Sequence, residues 1–135
     1  MTGTTAEGGC LCGAVRYRVT GSPHATSLCH CRSCRLATGA PSLAWAIFPA
    51  GKVEIVAGET ALFYSSPGVE WGFCPACGTT LTYQRANRPG FFDVTTATLD
   101  DPEAFPPQKE IWTGERLSWV PAAPIAQFER TSAPG

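Results

Sequence analysis

The sequence predicts a mainly β fold in a single domain, and three observations support this prediction. The chain has 135 residues, which is enough for one compact domain with its own core but too short for two ordinary ones. Short segments rich in Val, Thr and aromatic residues alternate with Pro and Gly, as in sheets of short strands. Seven cysteines fall in close groups, which is typical of metal sites or redox groups rather than of disulfides.

The composition is that of a globular protein with little charge. Hydrophobic residues make up 44% of the chain and charged residues 16%, below the ~25% of average proteins. The net charge of −1 provides no basic field to neutralise phosphates, so we expect no nucleic-acid partner.

The N-terminal residues 1–9 are small and polar and do not resemble a signal peptide. No segment approaches the ~18 apolar residues of a membrane span, so we expect no membrane association. We therefore expect a cytoplasmic protein, in a reducing compartment where clustered cysteines are more often metal ligands than disulfides.

The strands can be assigned in order along the chain. Residues 1–7 and 131–135 are predicted to be tails, with one domain over 8–130. Apolar and basic residues alternate over 14–19, which predicts a half-buried strand. Six further strands are predicted over 42–48, 53–56, 61–65, 69–73, 79–83 and 91–96.

Helix is predicted at only two places. Residues 33–38 fit one or two turns ending at Gly39, a suitable glycine for the position after a helix. Residues 102–105 fit another turn, which Pro106 prevents from continuing. A late strand over 109–112 and a hydrophobic return to the core over 117–121 complete the chain.

Four of the cysteines form two close pairs that suit one zinc site. Cys74 and Cys77, followed by glycine, form a turn that points two sulfurs inward and supplies half of a tetrahedral site. Cys10 and Cys12 are the natural other half, because the flanking glycines allow positive φ and close approach. This predicts a closed structural zinc site, with a contribution to folding on the order of 10 kcal/mol.

The other three cysteines, Cys29, Cys31 and Cys34, lie within six residues and have no obvious fourth ligand. Three protein ligands with an open position are the arrangement of catalytic zinc. A thiol bound there as thiolate can attack an electrophile such as an aldehyde. We therefore predict two zinc ions per chain, with these three cysteines as both metal ligands and catalytic residues, and no side chain is assigned as a general base.

Neighbouring residues leave alternatives open. His30 is a rival ligand, but it points away if Cys29 and Cys31 share one side of an extended chain. His24 suits a loop. Arg32 and Arg35 suit either contact with an anionic ligand or solvated loop positions. Four tryptophans suit the core: Trp45, Trp71, Trp112 and Trp119. Trp45 and Trp112 also fall beside segments that can border the open site.

Three other functions fit the cysteines. Cys31/Cys34 and Cys74/Cys77 can be two redox pairs, although neither lies in the strand-to-helix context of a βαβ redox fold. The second zinc can be structural, with its fourth ligand from Asp, Glu or His. The whole domain can be a non-catalytic zinc-binding module for interaction with partners.

Three motifs stand out: Gly-Gly-Cys-Leu-Cys-Gly-Ala-Val-Arg-Tyr at 8–17, Cys-His-Cys-Arg-Ser-Cys-Arg at 29–35 with Thr-Gly-Ala-Pro at 38–41, and Phe-Cys-Pro-Ala-Cys-Gly-Thr at 73–79. In this order and spacing they resemble the glutathione-dependent formaldehyde-activating enzyme family, which includes the centromere protein V type domains. The segment 110–119 also resembles family members.

The resemblance implies a zinc-stapled β-tent of short, twisted antiparallel sheets. It also implies a structural zinc on Cys10, Cys12, Cys74 and Cys77, and a more labile zinc on Cys29, Cys31 and Cys34 where glutathione would act. The implied reaction is a reversible carbon–sulfur lyase reaction that joins glutathione and formaldehyde in S-hydroxymethylglutathione.

Overall fold

The computed structural model describes residues 4–131, which form eleven strands, one α-helix and three short 3-10 helices. The strands are β1 Thr5–Gly9, β2 Arg16–Thr20, β3 Ala25–Cys29, β4 Leu43–Pro49, β5 Val53–Ala57, β6 Ala61–Ser66, β7 Val69–Phe73, β8 Thr80–Arg85, β9 Phe91–Thr95, β10 Lys109–Ile111 and β11 Ala126–Gln127. The α-helix is α1, Arg32–Thr38, and the 3-10 helices are Ala50–Lys52, Thr96–Thr98 and Thr113–Glu115. The predicted mainly β class is confirmed.

The strands form two sheets. One has three strands in the order β1-β2-β5, and the other has eight in the order β11-β10-β3-β4-β9-β8-β7-β6. Neighbouring strands are antiparallel except that β10 runs parallel to both β3 and β11. The predicted antiparallel pairing is confirmed except at β10, because the long connection over 96–108 lets the chain cross the sheet before it pairs with β3.

The main core lies where β2 faces one side of the eight-stranded sheet. Val15, Tyr17 and Val19 are 1%, 0% and 0% exposed, while Arg16 and Arg18 between them remain partly exposed. This confirms the predicted alternation of a half-buried strand. The core continues on the larger sheet through the buried residues Ala46, Phe48, Leu81 and Val94.

A second apolar cluster lies on the opposite face of the same sheet. Its buried members are Cys29, Cys34, Trp45 and Trp71. Trp45 belongs to this cluster and its neighbour Ala46 to the main core. Because successive side chains of a strand point to opposite faces, β4 separates the two clusters.

Several predicted elements differ from the structure. Strand β1 begins at Thr5, inside the predicted tail. Its sequence, TAEGG, has weak β propensity, but its backbone pairs with β2. Residues 102–105 form turns instead of a helix, and Trp119 in the predicted return to the core is 70% exposed. Strands β3 and β11 were not predicted. Most of the predicted tail 131–135 lies outside the described residues, as do residues 1–3.

The predicted helix over 33–38 is confirmed and ends as expected. Gly39 has φ 71°, and its N–H donates to the carbonyl of Arg35, which closes the last turn of α1. Within residues 4–131, no helix is both long and apolar enough to cross a membrane.

Candidate metal centres

Four sulfur atoms from the start and the middle of the chain meet at the first centre. The Sγ atoms of Cys10, Cys12, Cys74 and Cys77 all lie within 4.8 Å of one another. The distance between the sulfurs of Cys10 and Cys12 is 3.6 Å, and that between Cys12 and Cys74 is 3.8 Å. Tetrahedral zinc with Zn–S bonds of ~2.3 Å requires sulfurs about 3.8 Å apart, so this donor set fits one zinc ion.

Glycines shape the loop that carries the first pair. Gly13 has φ 81°, and its N–H donates to the carbonyl of Cys10 across a tight turn. A Cβ at Gly8 would lie 2.4 Å from the hydroxyl oxygen of Tyr17, so only glycine fits there. The two glycine properties expected from the sequence therefore occur at different positions: positive φ after the pair, and close approach before it.

The second pair lies on the turn between β7 and β8. The N–H of Gly78 donates to the carbonyl of Cys74, and the N–H of Cys77 donates to the sulfur of Cys74. Hydrogen bonds from the hydroxyl and the backbone of Thr79 lower the pKa of Cys77. The hydroxyl of Thr79 also accepts from the N–H of Leu11, which joins the two loops. The turn thus favours the thiolate form that metal ligation requires.

The second centre joins the end of β3 to the start of α1. The Sγ atoms of Cys29, Cys31 and Cys34 lie within 4.8 Å of one another, and those of Cys31 and Cys34 are 3.2 Å apart. Cys29 and Cys34 are 4% and 5% exposed, whereas Cys31 is only partly buried. The three-cysteine group is therefore reachable from solvent at Cys31.

The surroundings of Cys31 favour its thiolate. Cys31 caps the N-terminus of α1, and its sulfur accepts from the backbone N–H of Cys34 at 3.4 Å. Hydrogen bonds with the thiols of Cys29 and Cys34, together with the N–H groups of Cys34 and Ser33, lower the pKa of Cys31. The pKa of Cys29 is raised by its hydrogen bonds with Cys31 and Cys34 and by burial, so the negative charge resides first on Cys31.

An aromatic cluster borders the three-cysteine group. The ring of Trp45 lies 5.8 Å from that of Trp71 and 5.6 Å from that of Tyr83, and Trp71 and Tyr83 pack edge to face. The indole N–H of Trp45 donates to the sulfur of Cys34 at 3.4 Å. Trp112 packs against the same cluster. Trp45 and Trp112 thus pack in this cluster and also border the three-cysteine group. Trp71 does so too, which the sequence did not predict.

The remaining sequence candidates lie outside both centres. His30 is fully buried and points away from the sulfurs, and His24 packs against the ring of Phe91. The guanidinium Nε of Arg35 is buried without a hydrogen-bond partner, and Arg32 contacts Glu115 through its backbone N–H. Among residues 4–131, no His, Asp or Glu joins the three sulfurs at ligand distance.

Sequence reasoning missed Glu110, which accepts a hydrogen bond from His30. Glu110 is 0% exposed and lies in the short strand β10. The one available signal was a carboxylate in the middle of the strand predicted over 109–112, which does not by itself show that the carboxylate is buried and paired.

The fold and the two cysteine groups define a class of small β protein with one four-sulfur and one three-sulfur centre. A sequence model of the glutathione-dependent formaldehyde-activating enzyme family matches residues 5–115, and the chain belongs to that family. This confirms the resemblance seen in the sequence motifs.

Two individual proteins are similar to this chain. An uncharacterized lyase of Schizosaccharomyces pombe is 33% identical over 82 residues, which cover 60% of this chain and 58% of the relative. The match thus spans little more than half the length of that curated relative. A crystal structure of a Rhodobacter sphaeroides protein superposes with a TM-score of 0.60 at 27% identity, covering 70% of this chain and 88% of that chain.

Proposed function

We propose that the protein is a zinc-dependent carbon–sulfur lyase that joins a small thiol, such as glutathione, to a small aldehyde, such as formaldehyde, reversibly and in the cytoplasm. The observation that carries this proposal is the three-cysteine group, which has three converging sulfurs and no fourth ligand among residues 4–131. Family membership and the relative named as a lyase support a lyase-type function.

The cysteines divide into ligands with two roles. Cys10, Cys12, Cys74 and Cys77 would hold a structural zinc whose ligand shell is complete. Cys29, Cys31 and Cys34 would hold a second zinc as the catalytic ligands. Zinc held by three thiolates provides an open position and lowers the pKa of a thiol bound there.

The side chains around the group support this chemistry. The N–H groups at Cys31 and the indole of Trp45 stabilise negative charge on the sulfurs, which keeps the cysteines ready to bind metal. Trp45 and Trp71 are 5% and 6% exposed, so they exclude water from one side. The partly exposed Cys31 marks the side from which a substrate enters.

The reaction requires no oxidant or reductant. The S–H bond of the substrate thiol breaks, its sulfur bonds to the carbonyl carbon, and the π electrons of the carbonyl move to the oxygen. Because no side chain is assigned as a general base, we assign both proton transfers to water, which takes the proton from the thiol and gives a proton to the carbonyl oxygen. The product is a hemithioacetal, which is S-hydroxymethylglutathione for glutathione and formaldehyde, and the reverse steps release the aldehyde.

Metal analysis and cobalt substitution test the proposal. We expect two zinc ions per chain. Adding glutathione to the cobalt-substituted protein should change the sulfur-to-cobalt charge-transfer band, whereas S-methylglutathione, which has no free thiol, should not. A spectrum that does not respond to glutathione would contradict the enzyme function and favour a non-catalytic zinc-binding module.

Catalysis itself is measured by the rate at which glutathione and formaldehyde combine above the uncatalysed rate. Cys31→Ser is the matched variant, because it removes one sulfur of the three-cysteine group and leaves the four-cysteine centre unchanged. A folded Cys31→Ser protein with undiminished activity would refute the catalytic role of this group. A folded and active protein free of metal would revive the redox alternative.

A further inference from the structure

A buried hydrogen-bond network begins at the residue between two of the three cysteines. His30 is 0% exposed, and its Nε2–H donates to Oε1 of Glu110 over 2.5 Å. The backbone N–H of His30 donates to the carbonyl of Ile111 over 3.1 Å. Both the ring and the backbone of His30 are therefore held by β10, although His30 and Glu110 are 80 residues apart in sequence.

Glu110 is held in turn by the segment that follows β10. Its Oε2 accepts from the N–H of Ala123 over 2.6 Å and from the side chain of Gln127 over 2.8 Å, and Arg116 lies 3.5 Å from Oε1. Burial opposes ionisation of this carboxyl, but the donors Gln127, His30 and Ala123 and the charge of Arg116 lower the pKa of Glu110 to about 2. The carboxylate is therefore a fixed, charged acceptor.

This network constrains the turn that carries the sulfurs. Cys29 is the last residue of β3 and pairs with Ile111, while Cys31 is the cap of α1. Between them the backbone passes from strand to helix, and His30 is the one residue that separates the two cysteines. A ring anchored on the opposite side from the sulfurs fixes the peptide planes on either side of it, and so fixes the directions of the Cβ atoms of Cys29 and Cys31.

We propose that Glu110 is a positioning residue for the three-cysteine group. Through its hydrogen bond with His30 it holds the turn in the shape that directs three sulfurs to one metal ion, and Arg116, Ala123 and Gln127 hold Glu110 in place. The inference rests on the proposed function, in that the group must hold a metal.

Glu110→Gln tests this role, because it keeps the shape of the side chain and removes the charge. Asp93→Asn is the matched control: Asp93 is a buried sheet carboxylate, 5% exposed, that binds Arg88 instead of His30. For both variants we would measure zinc per chain, the affinity for the second cobalt ion, its charge-transfer band, and the thermal unfolding midpoint.

We expect Glu110→Gln to bind the second ion about 10- to 100-fold more weakly, as is usual when residues that orient ligands are changed, with the first ion retained. Asp93→Asn should retain both ions with wild-type affinity. A purely structural role would lower the unfolding midpoint without changing the relative affinity of the two ions.

The outcomes separate this inference from the proposed function. Wild-type protein that binds one ion overturns the proposed function, and this inference with it. Wild-type protein with two ions and Glu110→Gln with unchanged affinity overturn the inference alone. If Glu110→Gln does not fold, the exposed Gln127→Ala variant decides: weaker binding of the second ion supports the inference, and unchanged binding overturns it.

Discussion

Replacing a cysteine of the four-cysteine centre should prevent folding, whereas replacing one of the three-cysteine group should leave a folded protein. The four-cysteine centre borders the main core through Cys10 and Cys74, which are 8% and 0% exposed, and its ligands join residue 10 to residue 77. A structural zinc contributes on the order of 10 kcal/mol to folding, and a whole domain is stable by only 5–15 kcal/mol in typical cases, roughly the same size. Cys77→Ser should therefore yield unfolded or aggregated protein.

Cys31→Ser removes a ligand from the other face of the sheet, where the sulfur is partly exposed. The expected loss is about 1–3 kcal/mol, the range of an ordinary substitution, so the variant should fold with one zinc per chain. Circular dichroism melting and metal analysis of the purified variants measure both effects. If both variants collapse alike, or if Cys77→Ser melts at the wild-type temperature, the division into a structural and a functional centre is wrong.

Three further predictions concern single positions. Trp45→Phe keeps an aromatic ring but removes the N–H donor to the three-cysteine group, so it should shift the cobalt charge-transfer band and cost about 1 kcal/mol in urea unfolding. Burial raises the pKa of Asp93 to about 6, so the folded state binds this proton more tightly than the unfolded state, and stability falls as pH rises from about 4 through 6. Asp93→Asn should remove this pH dependence, which is worth up to about 3 kcal/mol. Unfolding of the wild-type protein and of Asp93→Asn at pH 5 and pH 8 would measure it. The same change in stability between the two pH values in both proteins would contradict the prediction. Gly8→Ala places a Cβ 2.4 Å from the hydroxyl of Tyr17 and should cost about 1–3 kcal/mol. Gly51→Ala, whose Cβ meets nothing within 4 Å, is its control in thermal melting and should change little.

The grouping of the cysteines could be predicted because most of its information is local. Short spacings in the sequence fix which sulfurs share a turn. Because a tetrahedral ion needs four ligands, the two pairs together form one complete site and the three remaining cysteines form the other. The alternation over β2 was equally visible because one of its faces is buried and the other is solvated. The structure brings together the same groups of sulfurs.

Other features could not be predicted because they depend on distant partners. Strand β3 has buried residues on both faces, so its sequence shows no period of two. The parallel β10 lies beside β3 through pairing that no local pattern encodes. Glu110 and His30 are 80 residues apart, and neither alone indicates a buried pair.

The placement of the two cysteine groups in clusters on opposite faces of one sheet bears on how such a domain can evolve. Mutations around Cys31 and its aromatic neighbours act on a face that contributes little to the main core. With the structural and catalytic roles proposed above, descendants can change or lose the three-cysteine group while the four-cysteine centre keeps them folded. The same scaffold can persist in a genome after its original activity has gone, and can acquire another ligand in its place.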